Sequence, residues 1–184
     1  MTPDRANPTF RDLDASEVNE ILARNHVGRI AYSFHDRVDI EPISYVFADG
    51  ALYMRTTPGS KLTTLEHAPW VAFEVDEVRG PFDWRSVVAH GTVYVLHEAG
   101  TLSDRATYRR AVDRLRELVP EALTREDPTP ERRVIVKLYP TTLTGKAAES
   151  EAPGRRHTLP PREKPAVAPT RGVGDAAESR SESR

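Results

Sequence analysis

The spacing of apolar residues changes period repeatedly along this chain, and each change marks an element boundary. Val18, Ile21 and Leu22 fall on one helical stripe. Asp14 precedes them as an N-cap with Glu17 three residues on, and Leu13 and Val18 occupy the staple positions, so a helix begins here and stops near Asn25-His26, before Gly28. From Arg29 the period becomes two: Ile30, Tyr32 and Phe34 alternate with Arg29, Ala31 and Ser33 up to a turn at His35-Asp36-Arg37. A second strand runs from Val38 to Phe47. Pro42 inside it has no N–H for a ladder, which predicts a bulge, an edge, or a place where a ligand replaces the neighbouring strand. Asp49-Gly50 is a tight-turn signal that returns the chain into Leu52-Tyr53-Met54-Arg55.

Beyond the turn at Thr57-Pro58-Gly59, Lys61 to His67 reads as a short helix with Ser60 as its N-cap and Leu62 and Leu65 on one side. Trp70 to Val75 is a strand, and a loop through Gly80-Pro81-Phe82-Asp83 leads to a long strand from Trp84 to His97. Gly91 interrupts that strand as a bulge or a barrel corner. A helix beginning at Thr101 or Ser103 carries Tyr108, Ala111, Val112 and Leu115 and ends near Pro120, and Val134 to Tyr139 is the last strand. The order of helix, three antiparallel strands, short helix, two strands, helix and strand predicts a mainly β fold. Its expected form is a closed or nearly closed antiparallel barrel with peripheral helices.

Composition divides the chain into three parts. Residues 1–9 form an expected flexible N-terminus, and residues 10–146 carry the apolar patterning of one domain. From Ala147 to Arg184, Ala, Glu, Ser, Pro and Arg dominate and no aromatic residue occurs, so this segment is expected to be a disordered tail. A net charge of -2 argues against broad electrostatic binding of nucleic acid. The absence of cysteine excludes disulfides, thiolate metal sites and thiol catalysis. The first residues lack the apolar centre of a signal peptide and no run is long enough to cross a bilayer, which sets the expectation of a cytoplasmic protein without a membrane partner.

Candidate chemistry gathers at Arg55-Thr56-Thr57-Pro58-Gly59-Ser60-Lys61, where a strand turns into a helix start. Hydroxyls, two cations and unpaired N–H groups at one junction suit a phosphate dianion. Only four lysines occur against twenty-two arginines, and one of the four stands here. The alternative reading is an ordinary turn with Ser60 capping and Lys61 solvated. A second segment, Trp84-Arg85-Ser86-Val87-Val88-Ala89-His90-Gly91, could lay backbone amides and the Ser86 hydroxyl beside a flat heteroaromatic ring, or could be a plain buried strand. The six histidines form no spacing typical of a metal site, and no serine sits in a nucleophile elbow, so any chemistry belongs to a cofactor and no catalytic side chain is assigned.

In order and spacing, six segments resemble the pyridoxamine 5′-phosphate oxidase-like superfamily, and within it the nitroimidazole-resistance-type flavoproteins. They are Val27-Gly28-Arg29-Ile30-Ala31-Tyr32; Pro42-Ile43-Ser44-Tyr45-Val46-Phe47 with Asp49-Gly50; Leu52 to Thr56 with Gly59-Ser60-Lys61; Val71 to Asp76; Trp84 to Val88 through Gly91; and Leu138-Tyr139-Pro140 through Thr144-Gly145-Lys146. The resemblance implies an FMN-binding split β-barrel, a homodimer with the cofactor at the subunit interface, and a flavin (FMN)-dependent oxidoreductase acting on a small organic substrate. It further implies that Arg55, Thr56, Ser60 and Lys61 hold the FMN phosphate, that Ile43, Ser44 and Tyr45 line the ring and ribityl chain, and that Ser86 and Val87, on the strand led by Trp84, face the isoalloxazine. The same fold hosts binders of the deazaflavin F420 and of haem, so a non-catalytic flavin, F420 or haem binding or sensing module is the alternative. Members of the nitroimidazole branch often carry His near Arg55. The tail lacks the C-terminal Trp and Arg signature with which pyridoxamine phosphate oxidases grip their substrate.

Overall fold

A computed structural model describes residues 8–34 and 37–150, with the side chains of Phe34, Ser60 and Lys61 left out. The expected turn at His35-Asp36 and the tail from 151 lie outside the described residues. In chain order the elements are β1 (Thr9–Asp12), α1 (Ala15–Arg24), β2 (Val27–Phe34), β3 (Arg37–Ala48), β4 (Ala51–Thr56), α2 (Ser60–His67), β5 (Trp70–Gly80), β6 (Asp83–Leu96), α3 (Leu102–Leu118) and β7 (Val134–Glu149). Every ladder is antiparallel. The strands follow the order β7-β4-β3-β2-β5-β6, and β6 pairs back onto β7, so six strands close a barrel while β1 adds to the outer end of β7.

Local signals explain most boundaries. Asp14 accepts from the Glu17 N–H at 2.9 Å while Glu17 accepts from the Asp14 N–H at 3.1 Å, a reciprocal cap that starts α1. Thr101 and Asp104 repeat the device at the start of α3. Asp49 and Gly50, with φ of 55° and 70°, make the two-residue turn whose twist matches the flanking strands β3 and β4. For α2 the cap is Gly59, one residue earlier than expected, without a side-chain hydrogen bond.

Inward residues alternate along each strand and fill the barrel with Ile30, Tyr45, Met54, Phe73, Val87, Val93 and Leu138. Val18, Ile21 and Leu22 of α1 and Leu65 of α2 join the same core, and the half-buried Leu62 packs against it. A second apolar cluster lies outside the wall, where Tyr53, Ala51 and Ile135 meet Ala111 and Leu115 of α3. The barrel's outer face is therefore covered at β4 and the start of β7, whereas Val27, Val38, Ile40, Trp70 and Val78 on β2, β3 and β5 remain exposed.

The end of the last strand differs most from the sequence reading. β7 runs to Glu149, with Ala147 and Ala148 buried, because its last four residues pair with β1 on one side and, through Ala148, with β6 on the other. Composition places Ala147 to Glu149 in the tail, since the pattern of small and charged residues carries no record of that pairing. Among the described residues, no helix is long and apolar enough to cross a membrane.

The Gly91 bulge forms against β7: His90 pairs with Thr142 but Gly91 pairs with Pro140, leaving Thr141 extra. A Cβ on Gly91 would stand 2.1 Å from the Tyr139 carbonyl oxygen, a backbone atom fixed by the closing ladder. Gly91→Ala is expected to cost on the order of 1–3 kcal/mol, measured by denaturant unfolding. Gly80→Ala, whose added carbon has nothing within 4 Å, should stay within about 0.5 kcal/mol; equal losses at both positions would contradict this reading of the seam.

Candidate functional site

The barrel wall opens between β3 and β4. Their ladder covers only Tyr45–Ala48 with Met54–Ala51. Beyond Tyr45, Pro42, Ile43 and Ser44 are bonded to Arg29, Gly28 and Val27 of β2 alone, and beyond Met54, Arg55 and Thr56 are bonded to Ile135 and Val134 of β7 alone. Pro42 thus sits where one side of the strand has no ladder partner among the described residues, which its missing N–H tolerates. From Thr56 the chain passes through Thr57-Pro58-Gly59 into α2, whose N-terminal end stands at this opening. Unpaired backbone on both lips, an exposed Ser44 and the helix N-terminus form a cradle with the donor chemistry of an anion site.

The alternation of side chains divides the residues expected there. Thr56 shares the inner face with Leu52 and Met54 and is 4% exposed. Ile43 and Tyr45 also point inward: Tyr45 is fully buried with its ring edge-on to Phe73 at 4.9 Å between centroids. These two side chains belong to the core, so it is their backbone that faces the opening. Burial first, and then the charge of Glu77, push the Tyr45 hydroxyl ionisation well up; that hydroxyl has no hydrogen-bond partner among the described residues.

Arg55 is placed apart from Thr56. It lies on the opposite face from Thr56, under the loop after α3, and its Nε donates to the Arg132 carbonyl at 2.8 Å. Its Nη1 and Nη2 meet the two carboxylate oxygens of Asp127, and Nη2 also reaches the Thr129 carbonyl at 3.2 Å. The guanidinium is engaged by this clip and is 9% exposed, on the face of β4 away from Thr56. The sequence reading passed over Asp127. Asp127-Pro128-Thr129 is a turn signal in which Asp127 Oδ1 accepts from the Thr129 N–H at 2.9 Å, and the parity of β4 would have placed Arg55 away from Thr56. Burial pushes the Asp127 carboxyl up, but donation from the Leu123 and Thr129 N–H groups and from Arg55 outweighs it and holds the group at about 2, below its ordinary 3.8.

The Trp84 segment lies on β6, reached from the β3 lip across β2 and β5. Counted the other way, through β7, Thr56 is level with Val134 and beside the Ile135–Leu96 pair, twelve residues along β6 from Trp84. Val87 is fully buried in the core. Ser86 faces outward and donates to Glu74 Oε1 at 2.9 Å; the other oxygen of Glu74 and Asp76 Oδ1 both accept from Arg29 Nη1, at 2.9 and 2.6 Å. Pro42 pairs with Arg29, Arg29 with Glu74 and Glu74 with Val88, so the β3 lip and the Ser86 segment are three ladder spacings apart, about 14 Å at ~4.8 Å each. The side chains of Ser60 and Lys61 lie outside the described residues. Among the described residues, no group of three His, Asp or Glu could hold a metal.

The sequence profile of the pyridoxamine 5′-phosphate oxidase family matches residues 14–147. A Rhizobium meliloti (strain 1021) protein of uncharacterised function is 28% identical over 81 residues, 44% of this chain and 54% of that protein, so the match spans about half the length of the curated relative. Among solved structures, an FAD-binding protein from Mesorhizobium loti has a TM-score of 0.61 at 24% identity, covering 77% of this chain and 99% of its own. A Corynebacterium glutamicum protein named for pyridoxamine 5′-phosphate oxidase has a TM-score of 0.57 at 28% identity, covering 78% of this chain and 95% of its own.

The Arg55–Asp127 clip gives a pH-dependent prediction. Because the folded carboxyl titrates below its ordinary value, its stabilisation is whole above pH about 4 and fades as pH falls toward 2. Asp127→Asn should remove that acid-limb loss and lower stability by about 3 kcal/mol or more at pH 7, since it leaves a buried cation unpaired. Thermal unfolding of the two proteins between pH 2 and 7 measures both effects; parallel curves would contradict the assignment.

Proposed function

The chain belongs to the pyridoxamine 5′-phosphate oxidase family, and from that premise we propose that it is an FMN-dependent oxidoreductase acting on a small organic substrate. The observation that carries this reading is the opening of the wall at Tyr45 and Met54, with the N-terminal end of α2 beside it. Anion-directed backbone at that point fits a single phosphate, and so a mononucleotide. The Mesorhizobium loti relative, named as FAD-binding, supports a flavin.

The cofactor would be completed between two copies of the chain. One copy supplies Ser44, Thr56 and the backbone of the turn into α2, with Ser60 and Lys61 as the proposed phosphate ligands. The ring-facing group of Trp84 and Ser86 is proposed to come from the partner copy, with the cofactor lying between subunits. The exposed apolar residues Val27, Val38, Ile40 and Val78 give such a partner a surface to cover. When bound, the flavin supplies hydride or electron exchange; the chain's residues clamp the phosphate, orient the ring and exclude water.

The freshly purified protein is expected to show flavin absorption, and calorimetric titration of the stripped protein to show FMN binding that Lys61→Ala weakens at least about tenfold, the loss of one charge-assisted contact. A deazaflavin band or a Soret peak in place of flavin peaks, or unchanged FMN affinity in the variant, would overturn the reading.

A further inference from the structure

Beside α3, the outer face of β4, β7 and β6 carries a group of aromatic and cationic residues that the cradle does not use. Tyr53 of β4 pairs with Lys137 of β7, and Lys137 pairs with Tyr94 of β6, so the three form one row across the wall. Tyr139 follows two residues after Lys137, on the same face. Lys137 Nζ stands 5.7 Å from the ring centroids of both Tyr53 and Tyr139, close enough for each ring to attract it. Tyr94 and Tyr139 are 54% and 57% exposed, whereas Tyr53 is 1% exposed and packs against Ala111 and Leu115 of α3.

The polar groups of this patch lack acceptors from the chain. Although Tyr53 is buried, its hydroxyl makes no hydrogen bond among the described residues. Burial first, and then Asp49, push its ionisation up while Arg110 and Arg114 draw it down, so both guanidiniums lie within electrostatic reach and the hydroxyl is a donor at neutral pH. Arg114 is committed to Asp49 at 3.3 Å and to Glu117 at 2.8 Å. Arg110 and Lys137 have no ion pair among the described residues, in contrast to Arg11, Arg24, Arg29 and Lys146, each of which holds a carboxylate. A half-buried ammonium, an exposed guanidinium and a hydroxyl donor thus lie around two exposed rings.

Charge and shape decide what completes them. Exposed tyrosines and an arginine around a cation on an open strand surface have the composition of a protein contact rather than of a concave small-molecule cleft. The chain's own segment beyond Ser150 carries seven Arg and Lys against five Asp and Glu, the wrong sign for this patch. The apolar residues given above to a second copy lie on β2, β3 and β5, not on β6 and β7.

We propose that Tyr94, Lys137 and Tyr139, with Arg110, dock an acidic segment of a partner protein. Its carboxylates meet the two cations, and an adjoining apolar or aromatic side chain lies on the two exposed rings. This docking surface does not depend on the flavin reading.

The probe is a capped peptide of four glutamates around a central phenylalanine, with its glutamine counterpart as control, titrated into the full-length protein at low ionic strength and followed by amide chemical-shift NMR. The acidic peptide is expected to bind in the millimolar range or tighter, at least about fivefold tighter than the glutamine peptide, to move the resonances of Tyr94, Lys137 and Tyr139, and to weaken as salt screens the charges. Lys137→Gln and Arg110→Gln, the latter at an exposed helix position, should each weaken it at least about threefold. Lys146→Gln, which removes the same charge elsewhere on β7, should leave it within about 1.5-fold of the parent. Equal affinity for the two peptides, or Lys146→Gln weakening binding as much as Lys137→Gln, would overturn the proposal. So would a smaller oligomer on sedimentation of Lys137→Gln, which would assign the patch to the contact between copies. FMN titration of the same variants reports on the flavin reading separately, so either can fail alone.

Discussion

Closure of the barrel by the β6–β7 ladder is the constraint on which the other features depend. These strands, fourteen and sixteen residues long, pair along nearly their whole length. Their first and second halves serve different neighbours: β7 bonds β4 through Leu138 and β1 from Lys146 onward. The bulge at Gly91 permits the change of direction, and no side chain larger than hydrogen fits against the Tyr139 carbonyl there. Closure gives an interior that α1 and α2 help to fill.

Helix caps and the tight hairpin were legible in the sequence because their physics is local. Asp14 with Glu17, and Asp49-Gly50, act through atoms within four residues of one another. β1 was not legible. Thr9-Phe10-Arg11-Asp12 has one large apolar residue and no alternation to detect; it is a strand because β7 continues far enough to pair with it. The site shows the same division. The opening beside Pro42 follows from a missing N–H and was anticipated, while the fate of Arg55 depends on Asp127, seventy-two residues away, and was not. Grouping Arg55 with Thr56 as neighbours in sequence overlooked that adjacent strand residues point to opposite faces.

The α2 cradle and the Trp84 segment together shape the functional account. Under the proposed function, the cofactor is completed by a second copy packed on the face that α3 leaves bare. The outward ion pairs of Arg29 with Glu74 and Asp76, and the tie from Ser86 to Glu74, lie on that same face and set the orientation of the polar groups a partner would meet.

The most direct measurement of this two-copy account is complementation. Lys61→Ala and Trp84→Ala chains, each poor in FMN binding alone, are co-expressed and the flavin content of the mixed protein is read by absorbance. Random pairing makes half the dimers mixed and leaves one of the two sites in each intact, so the account predicts recovery of about a quarter of the parent occupancy. A mixture as empty of flavin as its two components would contradict it, because the site would then lie within a single chain.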